Sequence, residues 1–378
     1  MTLAPRKTAH SEAQILDVVK GYLLLGVFYI HALYGVSQSF GDPMLAPAAG
    51  IQIKLLAPNV AVFFFLNGMQ STRIGKKSLL AILRQSLMLL VIAALSHVVA
   101  VLIDQGINGT YTQLRPFVKA LVRPIVMGTG YANYVAWFFV VLAAARIFAY
   151  AFARSKVAFG ALVVASALLI YASQLLRLPF NVYEWRNWPV AVLFFLVGMR
   201  IRANIAIPHV VGLGALLLSF GAAWMNSPTL LSAGPCLTCS LPFVAQPMVG
   251  QYGFLPLYLM QEVAFITFLL WVSAVTTGYT AGRLATYFGR PSLQMLLLHG
   301  WVLVALYPAA ARGLPEQESL FLFISIISAI IITHGFLYEI LGRALDMFLA
   351  GCTRLSRMIV DAIVYVLGRM GVFRRAPA

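Results

Sequence analysis

Long apolar runs separated by short polar stretches dominate the chain. Ten of them can be delimited, at roughly residues 15–37, 51–71, 79–103, 132–153, 157–176, 187–203, 207–226, 253–276, 291–311 and 319–342. A helix needs about 20 mostly apolar residues to cross the hydrocarbon core of a bilayer. The pattern therefore predicts an all-α integral membrane protein with about ten transmembrane helices. The first run does not read as a signal peptide, because it lacks a small-residue cleavage site and carries Asp17 and Lys20 within it. A further stretch, 356–373, is short and is interrupted by Arg357, Asp361 and Arg369. It reads as an interfacial amphipathic helix rather than an eleventh span. Residues 1–350 thus form one membrane domain, and residues 351–378 a basic, amphipathic cytoplasmic tail.

Composition sharpens this picture. Of the 378 residues, 61% are hydrophobic and 10% charged, with a mean hydropathy of +0.88. A globular domain carries about a quarter charged residues. A water-soluble enzyme, a disordered chain and a nucleic-acid-binding domain are excluded, even though the net charge is +16. With the N-terminus inside, seventeen Lys and Arg residues fall on the cytoplasmic side, six fall outside and four lie within spans. That asymmetry satisfies the positive-inside rule and puts both termini in the cytoplasm. Three cysteines are too few for a disulfide scaffold. Cys236 and Cys239 form a lone pair in an outer loop without a second ligand pair, so no metal is expected.

Candidate chemistry comes from polar groups inside the membrane, where an ionisable side chain costs several kcal/mol unless it is paired or wet. Asp17, Lys20 and His31 lie in the first run. Lys20 and His31 are eleven residues apart, about 20° past three full turns, so they share a helix face about 16 Å apart along the axis. Asp17 lies at i, i+3 from Lys20 and can pair with it. Taken singly, Lys20 could snorkel to the interface and His31 could make a helix–helix hydrogen bond. Together they make a stripe suited to an elongated anionic ligand. Arg84, Arg146, Glu262 and His299 complete the buried set. Glu262, near the middle of its run, either pairs with a cation or histidine or stays protonated. His97 and His334 lie nearer span ends, where solvated or interfacial surroundings would be adequate. In the outer loop 104–131, Leu114, Val118, Leu121 and Ile125 mark an apolar face with Arg115, Lys119 and Arg123 opposite. This is either a helix resting on the outer leaflet or a basic rim for an anionic or sugar substrate.

Several segments resemble the acyltransferase-3 family of integral membrane acyltransferases. Ile15-Leu-Asp17-Val-Val-Lys20-Gly21 followed by His31 resembles its opening, a basic residue and a histidine with ten residues between them. Phe63–Met69 is similar to its phenylalanine-rich segment, with Asn67 where the family has serine. Ala136–Phe139, Phe194–Gly198 and Phe288-Gly-Arg290-Pro-Ser-Leu293 leading to His299 follow in family order. The third run departs from the family, which often has two arginines three apart there, whereas here Arg84 stands alone.

The resemblance implies transfer of an acyl group, most often acetyl, from acyl-coenzyme A to a hydroxyl of a glycan or other cell-envelope acceptor. It places the protein in a cell membrane, the bacterial inner membrane in particular. His31 would be the general base, with Asp17, Glu262 and His299 as further catalytic candidates. Lys20, Arg84, Arg73 and Arg290 would hold the donor phosphates. The partners expected are the bilayer, acyl-CoA and the hydroxyl acceptor, with no nucleic acid. A transporter or flippase using buried His, Glu and Arg as a relay is the alternative.

Overall fold

A computed structural model describes residues 11–39, 47–56, 59–175, 181–201, 206–230, 234, 243–247, 250–310 and 319–369. Among them the fold is all-α. Helices α1 (Glu12–Ser39), α2 (Pro47–Leu56), α3 (Asn59–Met69), α4 (Leu79–Asn108), α5 (Leu114–Met127), α6 (Ala136–Arg154) and α7 (Phe159–Leu175) come first. They are followed by α8 (Trp188–Gly198), α9 (His209–Met225), α10 (Leu255–Thr276), α11 (Thr280–Gly289), α12 (Ser292–Ala310) and α13 (Leu320–Arg369). Cys236 and Cys239 lie outside the described residues.

Among the described residues, six segments are long and apolar enough to cross a membrane: Glu12–Gly35, Ala48–Met69, Leu79–Asn108, Ala136–Arg154, Leu255–Thr276 and Leu320–Val366. The runs at 157–176, 207–226 and 291–311 form shorter apolar helices, Phe159–Leu175, His209–Met225 and Ser292–Leu306. The run at 187–203 yields an 11-residue helix, α8. The greater difference lies at the C-terminal end. No separate helix begins near 356, because α13 continues through all 50 residues to Arg369, about 75 Å at 1.5 Å per residue. Its sequence contains no proline, so nothing forces a break. Large apolar side chains such as Ile332, Phe336 and Ile340 are exposed along it while Ser356 and His334 are buried, the polarity expected of a lipid-facing helix.

The described chain divides into two compact units. The first comprises Met1–Gln70, Val197–Met295 and Ala310–Gly335. Here α1 packs on α11 at close quarters. A Cβ on Gly21 would stand 1.8 Å from the Ala285 carbonyl oxygen, and one on Gly289 would stand 1.8 Å from that of Asp17. Such backbone approach requires glycine at both crossings. Tyr22 donates to Thr276 at 2.9 Å, tying α1 to the end of α10. A Cβ on Gly198, at the end of α8, would stand 2.0 Å from the Phe65 carbonyl oxygen, so two of the phenylalanine-rich segments meet there.

The second unit comprises Ser71–Leu196, Leu296–Ala309 and Phe336–Ala378. Helix α4 opens on a Ser78 cap, whose hydroxyl accepts from the Ala81 N–H, and closes on Gly109 in the left-handed region. It packs on α6, where Ser86 donates to the Ala143 carbonyl. Trp301 of α12 donates to the Ser96 carbonyl at 3.0 Å.

Gly21→Ala should force α1 away from α11 and cost about 2 kcal/mol or more, read as a fall in the thermal midpoint in detergent. Gly214→Ala, whose added Cβ would meet nothing within 4 Å, should leave the midpoint unchanged or raise it. Equal midpoints for wild type and Gly21→Ala would contradict the close approach.

Candidate active site

The close crossing of α1 and α11 sets the charges at one end of the first unit. Asp17 Oδ1 lies 3.6 Å from Lys20 Nζ, and its Oδ2 lies 3.7 Å from Arg290 Nε. The first contact follows from helical spacing; the second exists because Gly289 lets the residue after it reach Asp17. Asp17 and Lys20 are 26% and 18% exposed at their side chains, whereas Arg290 is 70% exposed. One carboxylate between two cations leaves one net positive charge, with an arginine fork open to an incoming anion.

Helix α1 continues without interruption from Glu12 to Ser39. Lys20 and His31 therefore share one helix face, with His31 half-buried about 16 Å further along. His334, expected in interfacial surroundings, is instead buried and stacked on Phe28 of α1, with ring centroids 4.2 Å apart. Its Nδ1 bonds with the Ile330 carbonyl of its own helix. Glu262 is fully buried on α10, one turn after the equally buried Tyr258. Among the described residues it forms no ion pair, so of the alternatives the sequence left open, pairing with a cation is not seen.

The other expected residues lie in the second unit. Arg73 is exposed at the head of the short turn Ile74–Lys76. Arg84 pairs with Asp361 of α13, both partly exposed. His299 is buried on α12, followed by Gly300, where an added Cβ would stand 1.9 Å from Asn133 Oδ1. Asn133 is itself buried, and its Nδ2 has no hydrogen-bond partner.

Three further polar residues were given no functional role by the sequence reading. Lys54 on α2 is buried and donates to the carbonyls of Asn226 at 3.3 Å and Phe243 at 2.9 Å. An intramembrane lysine was a signal available in the sequence. His97 is buried rather than interfacial and uses both ring nitrogens. The Ala132 N–H donates to Nδ1 at 2.9 Å, so the proton sits on Nε2, which donates to the Ala120 carbonyl at 2.9 Å. That carbonyl is available because Pro124, four residues on in α5, has no N–H to give it.

Glu184 is the third, and no periodicity marks it. Tyr183 and Glu184 both have positive φ, 52° and 55°, an uncommon conformation for such side chains. The strained turn buries Glu184, where Thr129 donates to Oε1 and Asn181 to Oε2. The Tyr183 ring lies where a Cβ on Gly128 would stand, 2.4 Å from Cδ1. Burial pushes the Glu184 carboxyl up to about 7 from an ordinary 4.5, against the pull of Thr129, Asn181 and Arg186. Burial and the neighbouring Tyr183 and Glu184 also raise the Tyr131 hydroxyl. A carboxyl whose proton is held more tightly in the folded chain favours folding fully below pH 4.5, and that contribution is lost as pH rises through about 7. The stability contributed by Glu184 should therefore fall from pH 4.5 to pH 8 by an amount on the order of 2 kcal/mol, read as a lower thermal midpoint. Glu184→Gln should flatten this part of the profile; an unaltered profile in that variant would contradict the assignment.

Comparison with known proteins places the chain in a class. A family model described as an acyltransferase domain matches residues 14–338, and the chain belongs to that family. No curated protein and no solved structure matches it. The protein is thus a membrane acyltransferase in general terms, built of apolar helices suited to a bilayer.

Proposed function

We propose that the protein transfers an acyl group, acetyl first among them, from acyl-coenzyme A to a hydroxyl of an envelope glycan or related acceptor. The observation that carries this reading is the continuous α1 stripe of Asp17, Lys20 and His31 in a chain of this family, with Arg290 brought beside it. Lys20 and Arg290 hold donor phosphates, and Asp17 positions both cations. Arg73 and Arg84 are the further donor-binding candidates. The neutral imidazole of His31 takes the proton of the acceptor hydroxyl as its oxygen attacks the thioester carbonyl. The carbon–sulfur bond breaks, coenzyme A leaves as the thiolate, and the imidazolium returns the proton to it. Glu262, in the same unit, is a candidate for assisting that proton's movement.

His31→Ala should abolish transfer of label from acetyl-coenzyme A to an acceptor glycan extract while leaving the thermal midpoint nearly unchanged. Substantial turnover in that variant would overturn the base assignment, and substrate flux across the membrane without transfer would favour a transporter. Lys20→Ala and Arg84→Ala should weaken coenzyme A binding. The Arg84–Asp361 pair is solvent-exposed and contributes under about 1 kcal/mol to stability, so a loss of donor affinity in Arg84→Ala would report on the ligand.

His31 lies about 24 Å from the inner start of the first run and about 9 Å from its outer end. The donor site therefore opens to the cytoplasm and the acceptor site to the outer surface, meeting at His31. Cysteines placed at positions 31 to 35 in a cysteine-free background should react with an impermeant thiol reagent added outside. Reaction confined to the cytoplasmic side would refute this arrangement.

A further inference from the structure

Helix α5 is not buried against its own unit as an ordinary amphipathic helix would be. None of its residues is buried. Leu114, Val118, Val122 and Val126 form an exposed apolar row at intervals of four, 46% to 76% exposed. The exposed cations Arg115, Lys119 and Arg123 form a second row one position on, about 100° around the helix. Beside that row lies a cavity of about 430 Å³, lined by Lys119, Arg123, Pro124, Met127, Thr129 and Gly130 among others. Among the described residues Lys119 and Arg123 take part in no ion pair. Thr129, part of this lining, donates to the carboxyl of Glu184, which is buried.

An exposed apolar row next to unpaired cations is the arrangement by which helices lie in a membrane interface. The cavity adds a place for one headgroup. We propose that this cavity binds the phosphate of a membrane lipid, held by Lys119 and Arg123, with the lipid's chain lying along the Leu114–Val126 row. The negative phosphate complements the two cations, and its tail covers apolar surface that the protein leaves open. A phosphate without a chain satisfies half of the site, and so does a chain without a phosphate. On the topology that places loop 104–131 outside, this is an outer-leaflet site. It stands apart from acyl transfer, since binding is read without turnover and survives any failure of the His31 assignment.

The test uses the full chain purified in a neutral detergent, titrated with farnesyl phosphate, short-chain phosphatidylglycerol, short-chain diacylglycerol and inorganic phosphate. The two lipid phosphates should bind, with diacylglycerol and inorganic phosphate each weaker by about tenfold or more. Lys119→Ala combined with Arg123→Ala should weaken both lipid phosphates about tenfold or more, with the thermal midpoint unchanged because both side chains are exposed. Val118→Asn, which removes apolar surface without adding charge, should weaken the lipid phosphates and leave inorganic phosphate unaffected. Tighter binding of farnesyl phosphate supports the proposal with a polyprenyl carrier as the source; tighter binding of phosphatidylglycerol supports it with bulk anionic lipid as the source. Diacylglycerol or inorganic phosphate binding as tightly as the lipid phosphates would overturn it, as would unchanged affinity in the double variant.

Discussion

The contact on which the charged end of the first unit depends is the backbone approach of α1 to α11. Gly21 and Gly289 each stand where a methyl group would collide with a main-chain oxygen of the other helix. Lipid supplies no hydrophobic drive for one helix to join another, so close packing of this kind does that work within a membrane. Here it has a chemical consequence. Arg290 follows Gly289 directly, so the distance that permits packing also brings its guanidinium to Asp17. Two cations gather around one carboxylate, which limits their mutual repulsion and leaves a net positive charge.

Elsewhere, several buried or half-buried polar groups are matched with main-chain carbonyls. Lys54 binds two of them, His97 binds one through Nε2, and Trp301 donates to another. A carbonyl partner suits a low-dielectric interior because it is fixed in place by a helix or turn and carries no full charge that must itself be desolvated. The carbonyl that receives His97 is free because a proline stands in α5. An apparent defect in one helix thus becomes the attachment point for its neighbour.

The Tyr183–Glu184 turn shows the opposite use of backbone energy. Two non-glycine residues with positive φ cost of order 1–3 kcal/mol each. What the turn secures is a carboxyl bonded to Thr129 and Asn181 beneath the post-α5 segment, and an aromatic ring over Gly128. The strain is local, while the contacts it makes tie together stretches more than fifty residues apart.

Several features could be read from the chain alone because they depend on spacing within one helix. The apolar runs, the Asp17–Lys20 pair, the Lys20–His31 face and the amphipathic character of α5 all follow from 3.6 residues per turn. Family membership was legible for a related reason, since its segments are short, ordered runs around α1, α3, α6, α8 and α11–α12. Contacts across the chain were not legible. Nothing in the periodicity tells that Arg290 meets Asp17, that Arg84 meets Asp361, 277 residues downstream, or that His334 stacks on Phe28. The continuity of α13 was also missed: charges at Arg357, Asp361 and Arg369 argued against a span, but charge does not end a helix when no proline or turn residue does. Glu184 lay beyond sequence reading altogether, because its burial depends on two left-handed residues that only the surrounding packing holds in place.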